Sequence, residues 1–506
     1  MNIHFLHDFL NPKSIAIYGA NNTFGTTMGT FQFINVILTG FGGKIYPIHL
    51  KLNTVLGYKA YKSIAEIPET PDLVIIVLPP NIVPQIFREC GEKGVKTIVL
   101  ISGGFREVID DRTNMLTEEI TKIAKKYGIR FIGPNCFGFY NAWRYPEDTS
   151  WNYPEGDNKA FNMMVFQKQK KRGKFSIVSQ SGTMTSHLFF DPDNLDIGLG
   201  KAISVGNEAN IDIVDFLEYF KNDDETEIIG LYIEEIKRGK RFIELAREIT
   251  PKKPIIAIYS GGSKAGNRAI KSHTGSMAGN IKIFDAMVKE TGIIQTNYIE
   301  EFLDLAVILS KIKDMYPKGN RIGILTNSGG PGAMLAKNAE NKGLKVPEFS
   351  RSLQMKLKTL LAPTASYKNP IDCTFDMNLS NFYVSFPKIL MRSGEVDVII
   401  IYGTIGFHYF LSRYQNDEKI SPYIEFRNEA LERIGLDDLD KFFIVPTIKA
   451  SQRFGIPVIY INPQNFLSQW SKKIRENGGI VFKLWDRPVN CMAKICKFAK
   501  YRREHL

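Results

Sequence analysis

The 506-residue sequence predicts an α/β protein built as successive doubly wound domains, and three observations carry that prediction. Short runs rich in Val and Ile alternate with longer amphipathic stretches through most of the chain, the pattern of parallel sheets covered by helices on both faces. At roughly 100–200 residues per domain, this length gives about three domains, each large enough to bury its own core. The composition, 44% hydrophobic and 23% charged with 41 Gly and 24 Pro, is that of a globular protein and excludes disorder, collagen-like repeats and low-complexity polymers.

Taken in order, the first candidate strands are Ser14–Gly19, Lys44–His49, Leu73–Pro79, Thr97–Ser102 and Arg130–Gly133, one doubly wound domain over residues 1–145. From Tyr140 to Lys174 the rhythm breaks, with Trp143, Tyr145, Trp151 and Tyr153 among polar residues, so 146–174 reads as a linker or insertion. A second series, Phe175–Gln180, Lys201–Val205, Glu227–Glu235, Pro254–Ser260 and Gly292–Thr296, ends in the helical stretch Ile299–Met315 and defines a domain over 175–316. The third, 317–506, begins with Arg321–Asn327 and continues with Val396–Gly403, Ile456–Asn462 and Gly479–Lys483 before a basic C-terminal helix. A charged, mostly helical excursion near 404–451 reads as an insertion into it.

Several function classes recede at this level. No run of about 18 apolar residues offers a membrane span, and the first residues lack a secretory pattern, so a cytoplasmic protein is expected. Five cysteines without a CxxC pair indicate neither a disulfide framework nor a zinc site, and no metal is expected on this chain. The net charge of +12 comes from scattered basic residues, and the densest run, Lys168–Lys174, sits between expected domains as a solvated linker; nucleic acid is not an expected partner.

The chemistry begins at strand ends. The first strand runs into Gly19-Ala20-Asn21-Asn22-Thr23-Phe24-Gly25, a turn ahead of a helix where backbone N–H groups and the helix dipole favour a phosphate. Its spacing is not GxGxxG, and His49 and Lys51 stand where a dinucleotide enzyme places an acidic ribose ligand, which disfavours NAD and favours a ligand with a ribose phosphate. Ser179-Gln180-Ser181-Gly182-Thr183 and Asn327-Ser328-Gly329-Gly330-Pro331-Gly332 each follow a strand and offer hydroxyls and amides to an anion; taken singly, capping and turn chemistry explain them as well. His273 lies among Ser, Thr, Gly and Ala, a setting suited to a phosphate-carrying imidazole, and the strand ending Ile233-Glu234-Glu235 supplies carboxylates at a sheet edge for its other nitrogen.

With these motifs assembled, the chain resembles the alpha subunit of the NDP-forming (ADP-forming) acyl-CoA synthetases, the succinyl-CoA synthetase-like superfamily. The resemblance covers nearly the whole sequence and is carried, in order, by Pro12–Ala20, Leu100–Phe105, Ile132-Gly133-Pro134-Asn135-Cys136, Ser179–Thr183, Ser204-Val205-Gly206-Asn207, Ser272-His273-Thr274-Gly275, Thr326–Gly332 and Lys368-Asn369-Pro370-Ile371-Asp372. It implies a CoA-binding Rossmann-like domain followed by two flavodoxin-like domains, with His273 phosphorylated and Glu234 orienting it, Glu235 being the adjacent fallback. It further implies a phosphate site at Ser179, Ser181, Gly182, Thr183, Asn327, Ser328, Gly329, Gly330 and Gly332. The implied coenzyme A (or acyl-CoA) site comprises Gly19, Ala20, Asn21, Gly25, Lys51, Pro79, Ser102, Asn135 and Cys136, the last two near the thioester.

The implied reaction converts acyl-CoA, phosphate and a nucleoside diphosphate to acid, CoA and triphosphate through an acyl phosphate and a phosphohistidine. Because three domains use up the chain, magnesium and ADP/ATP are expected on a separate ATP-grasp beta subunit, in a heterotetramer with two alpha chains. The first turn departs from the family where Asn21 replaces a common Ser, as does His49-Leu50-Lys51 at the second strand end, and both bear on acyl specificity. The competing reading is a catalytically silent CoA-binding regulatory or scaffold homologue; retention of both anion turns with His273 and Glu234 favours catalysis.

Overall fold

A computed structural model describes residues 4–25, 27–108, 111–148, 159–164, 171–185, 197–268, 280–374, 378–403, 417–419, 421–423, 440–462 and 468–506. The chain divides into two compact units, residues 1–306 and 307–506, with the break falling inside the helix Ile299–Ile312.

The first unit opens with β1 (Ser14–Tyr18) and β2 (Lys44–Ile48), a small hairpin of β3 (Thr54–Val55) and β4 (Tyr58–Lys59), then β5 (Leu73–Ile76), β6 (Thr97–Leu100) and β7 (Arg130–Ile132). The five long strands form one parallel sheet in the order β2-β1-β5-β6-β7. Every residue of β1 and β5 is buried, as expected of strands covered on both faces.

A second sheet in the same unit contains β8 (Gly138–Asn141), β9 (Phe161–Asn162), β10 (Arg172–Ser179), β11 (Leu199–Ser204), β12 (Ile228–Ile233), β13 (Ile255–Tyr259) and β14 (Ile294–Thr296), in the order β14-β13-β12-β10-β11-β8-β9. Here the expected linker is corrected. Gly138–Asn141 pairs antiparallel with β11, Phe161–Asn162 continues that edge, and the last three residues of the basic run are strand, since β10 starts at Arg172. Arg172 is held by the Tyr145 carbonyl at 3.1 Å and packs on the Trp143 ring. Among the described residues this stretch includes an edge pair of strands too short to show alternation; 149–158, with Trp151 and Tyr153, and 165–170 lie outside the described residues.

The second unit holds β15 (Ile322–Thr326), β16 (Ile371–Asp372), β17 (Val398–Tyr402), β18 (Val458–Ile461) and β19 (Ile480–Phe482), all parallel in the order β16-β15-β17-β18-β19. Most of the expected insertion, 404–416, 420 and 424–439, lies outside the described residues. Its end is not an excursion: Phe443, Ile444, Ile448 and Ala450, on and just before the helix Val445–Phe454, sit in the core of this unit.

Numbered by appearance, the five principal parallel strands of each sheet share the order 2-1-3-4-5. In such open sheets a ligand binds outside the carboxyl ends of the strands where the order reverses. Those places are the ends of β1 and β5, of β10 and β12, and of β15 and β17. Each lies beside a turn singled out in the sequence. No helix among the described residues is long and apolar enough to cross a membrane.

Candidate functional site

At the first reversal point a cavity of about 620 Å³ opens, walled by Gly19, Ala20, Asn21, His49 and Lys51 together with Lys62. Gly19 has φ +87°, and a Cβ there would lie 2.0 Å from the Val77 carbonyl oxygen, so only glycine lets β1 turn beside β5. Thr27 finishes the turn: its hydroxyl donates to the Gly19 carbonyl at 2.6 Å, and its oxygen accepts the Thr30 N–H at the start of the helix Met28–Leu38. Asn22 ties the turn to the hairpin, donating to the Thr54 carbonyl and accepting from the Leu56 N–H. His49 Nδ1 accepts the N–H groups of Lys51 and Leu52, which leaves the ring proton of a neutral imidazole on Nε2.

Gly25, with φ +81°, belongs to the same turn, and Pro79 caps the short 3-10 turn Pro80–Ile82 beyond β5. Ser102, Asn135 and Cys136 gather instead at the ends of β6 and β7. The Ser102 hydroxyl accepts the Leu78 N–H, and its carbonyl accepts that of Asn135, a residue in the left-handed region. Cys136 does not present its sulfur to a ligand: the thiol donates to the Leu100 carbonyl, and burial pushes it up to about 12. A ligand in this region meets Asn135 rather than the Cys136 thiol. Thr27, in the same glycine-bearing turn, also lines the wall; sequence reading missed Lys62 and Ser63, which follow the hairpin and belong to no motif.

At the second reversal point the turn after β10 and the end of β12 meet. Ser179 Oγ donates to the Ser181 carbonyl at 2.6 Å and accepts the Ser181 N–H, so its hydroxyl shapes the turn. Gly182 is required by the Phe137 ring, 2.8 Å from where a Cβ would stand, and the backbone is helical from Gly182 through Thr183 to Thr185. Glu234 is buried at the carboxyl end of an interior strand, not at a side edge of the sheet.

What holds Glu234 there is Gln180. Its side-chain oxygen accepts the N–H groups of both Glu234 and Glu235, and its NH₂ donates to the Glu208 carboxylate and the Glu235 carbonyl, each at 2.8 Å. The Glu235 carboxylate faces Arg106 at 3.5 Å. On the other side, Asn207 donates to Glu107, accepts from Asn135, and its N–H bonds the Pro134 carbonyl. The turn Gly206-Asn207-Glu208 thus joins the strand ends that hold Ser102 and Asn135 to those that hold Ser181 and Glu234. His273 and its neighbours, 269–279, lie outside the described residues.

The third reversal point, in the second unit, repeats the turn of the second. Thr326 Oγ1 donates to the Ser328 carbonyl at 2.9 Å and accepts its N–H, the same pattern as Ser179 with Ser181. Ser328 is the N-cap of the helix Gly329–Asn341 without a side-chain cap bond, and a Cβ at Gly330 would meet nothing within 4 Å, so this helix start is open. Gly332 packs on Thr326, and Asn327 lies where Gly403, at φ +131°, has room for it. Asn369 of the Lys368–Asp372 motif is a strut: its amide bonds Ile324, Ile322 and Pro347.

Comparison with known proteins defines the class first. Residues 13–142 match the model of a CoA binding domain, and residues 172–309 that of the succinyl-CoA ligase like flavodoxin domain. Over 485 residues the chain is 40% identical to the acetate–CoA ligase [ADP-forming] II subunit alpha of Pyrococcus furiosus, covering 96% of this chain and 95% of that one. It therefore belongs to the family of the alpha subunits of ADP-forming acetate–CoA ligases and related acyl-CoA synthetases. A Methanocaldococcus jannaschii acetate–CoA ligase [ADP-forming] is 41% identical over 365 residues, 72% of this chain but 48% of that protein, so the match spans about half of that relative. Among solved structures, the acetyl-coenzyme A synthetase 1 of Ca. Korarchaeum cryptofilum, in complex with phosphate and ADP, superposes with a TM-score of 0.79 at 27% identity, covering 99% of this chain and 98% of that one.

Proposed function

We propose that this chain is the alpha subunit that carries the thioester and phosphohistidine half of an NDP-forming acyl-CoA synthetase. An acyl-CoA occupies the cavity at the first reversal point, its phosphates at the Gly19-to-Gly25 turn near Lys51 and its thioester end toward Pro79, Ser102 and Asn135. A phosphate oxygen attacks the thioester carbonyl, the C–S bond breaks, and the CoA thiolate leaves and takes a proton, giving an acyl phosphate. One ring nitrogen of His273 then attacks phosphorus as the P–O bond to the acyl group breaks, releasing the carboxylate. Glu234 accepts the proton on the other ring nitrogen, fixing the tautomer. The turn at Ser179, Ser181, Gly182 and Thr183 is a phosphate site of the first unit and the turn at Asn327, Ser328, Gly329, Gly330 and Gly332 one of the second, each helix start contributing roughly 0.3–1 kcal/mol and up to ~2 when partly buried.

The observation that carries this reading is the Gln180 clamp, which fixes the buried Glu234 carboxylate's strand end to the Ser179-to-Thr183 turn. The phosphoryl group passes from His273 to ADP or GDP on a partner subunit with an ATP-grasp fold, which holds the magnesium and nucleotide; a heterotetramer with two alpha chains is the assembly we infer. Acetate is the acyl group that the relatives' names suggest. Five buried cysteines, none in a disulfide, fit a reducing cytoplasm. The test is a screen of acetate and other carboxylic acids for CoA- and ATP-dependent phosphate release by the chain with its co-purified partner. Turnover of none of them by a complex that binds CoA contradicts the proposal.

A further inference from the structure

The turn Gly206-Asn207-Glu208 contains a buried carboxylate that the reaction above does not use. Glu208 is 5% exposed and sits in the left-handed region at φ +52°. A non-glycine residue held there, with its charge out of water, is costly on both counts and needs a reason. Its two oxygens are both occupied by donors: Oε2 accepts from Gln180 Nε2 at 2.8 Å, and Oε1 from the Ile213 N–H at 2.9 Å. Gln180 in turn spends its whole hydrogen-bonding capacity on Glu208, Glu234 and Glu235. The amide is held from both ends: the Glu234 and Glu235 N–H groups take its oxygen, while the Glu208 carboxylate and the Glu235 carbonyl take its NH₂, so Glu208 is the one side chain that anchors it.

We propose that Glu208 is a positioning residue for phosphoryl transfer, acting through Gln180 to hold the Glu234 strand end in register with the Ser179-to-Thr183 turn, and that it does so only when ionised. The inference rests on the reading of Glu234 and His273 given above. Protonation of Glu208 removes the charge that strengthens both bonds and puts an O–H on one of the two oxygens that N–H donors already occupy, so it weakens the Gln180 bond or the Ile213 bond. Burial raises its pKa to about 7, with Asp212 adding to the rise and Lys237 opposing it.

Lys237, beyond β12, donates to the carbonyls of Asn207 and Glu208 at 2.8 and 2.7 Å. Asp212 and Asp215, at the start of the helix Ile213–Lys221, are both paired to Arg238. Glu235 faces Arg106. Among the described residues, the hydrogen bonds to the Glu208 carboxylate come from Gln180 and Ile213.

The experiment measures the rate at which the full-length chain incorporates radiolabelled phosphate at His273 from acetyl-CoA and inorganic phosphate, across pH. In the wild-type chain the rate falls as pH drops through about 7, because the raised pKa places the loss of the ionised form there. Glu208→Gln, which presents one oxygen and one NH₂ to two donors at every pH, labels about tenfold more slowly at high pH, the effect of roughly one lost buried hydrogen bond. It also loses the part of the acid limb centred near 7, while CoA binding is unchanged.

Gln180→Met gives the same loss by removing the clamp, and the double variant is no worse than either single one. Should Glu208→Gln fail to fold, as judged by lost CoA binding, Gln180→Met decides the matter alone. A labelling wild type with a Glu208→Gln variant of the same rate and the same acid limb overturns this inference and leaves the phosphohistidine intact. A folded, CoA-binding wild type that never labels refutes the underlying reading, and this inference with it.

Discussion

Gly25→Val separates the shape of the first turn from the integrity of the fold. Gly25 has φ +81°, and a Cβ there would meet no atom within 4 Å, so valine causes no clash. Its cost is conformational: an L residue in the left-handed region loses roughly 1–2 kcal/mol, and β-branching makes that an underestimate. Where the ligand requires that left-handed turn, the cost falls on binding. At 1.4 kcal/mol per tenfold, CoA affinity should fall by about 5- to 30-fold, with little change in the melting temperature.

Gly19→Ala is the control. Its Cβ would stand 2.0 Å from the Val77 carbonyl oxygen, which forces β1 and β5 apart and should lower stability as well as affinity. Calorimetric titration with CoA, dephospho-CoA and NAD reads the first variant, and thermal denaturation reads both; CoA should bind best and NAD worst. Unchanged CoA affinity in a folded Gly25→Val chain would refute the placement of the phosphates at this turn.

Three further outcomes follow from particular groups. Lys201 is fully buried and pairs with Asp223 at 2.9 Å and Glu225 at 2.7 Å, so Lys201→Met should destabilise the first unit by about 3–5 kcal/mol in urea denaturation, and adding Asp223→Asn should recover part of it. Burial pushes the Asp397 carboxyl up, but the Arg321 hydrogen bonds outweigh it and hold the pKa below the usual carboxylate range. Its stabilisation is therefore present above the unfolded-state pKa and lost as pH falls through the folded one. Asp397→Asn should cost about 1.5–3 kcal/mol at neutral pH and almost nothing in strong acid, read from chemical denaturation of the second unit. The rigorously purified chain should form no ATP from acetyl-CoA, phosphate and ADP; ATP formation by the single chain would overturn the need for a partner subunit.

The fold was legible wherever a strand was buried on both faces, because an unbroken Val/Ile run such as Val74–Ile76 or Val398–Ile401 has no other easy explanation. The same rule hid β9 and β16, two-residue strands at sheet edges whose pairing comes from their neighbours and not from their own periodicity. The end of the expected insertion misled for a related reason: the charge of 404–439 masked the apolar residues of Val445–Phe454 that complete a core. For the site, strand-end turns were readable because glycine, serine and threonine there have few uses. Cys136 shows the limit of motif reading, since the motif gives its position but only packing shows that the sulfur turns inward. Glu208 and Lys237 were invisible because their roles depend on three strand ends meeting, which no spacing in the sequence encodes.

The central claim is that His273 carries the phosphoryl group, and it is tested most directly with acyl-CoA, radiolabelled inorganic phosphate and the full-length chain, without any nucleotide. The account predicts an acid-labile, base-stable label that maps to the His273 peptide, disappears in His273→Ala, and falls strongly in Glu234→Gln while CoA binding is retained. A label that persists in His273→Ala, or that never appears in a folded wild-type chain that binds CoA, would contradict it.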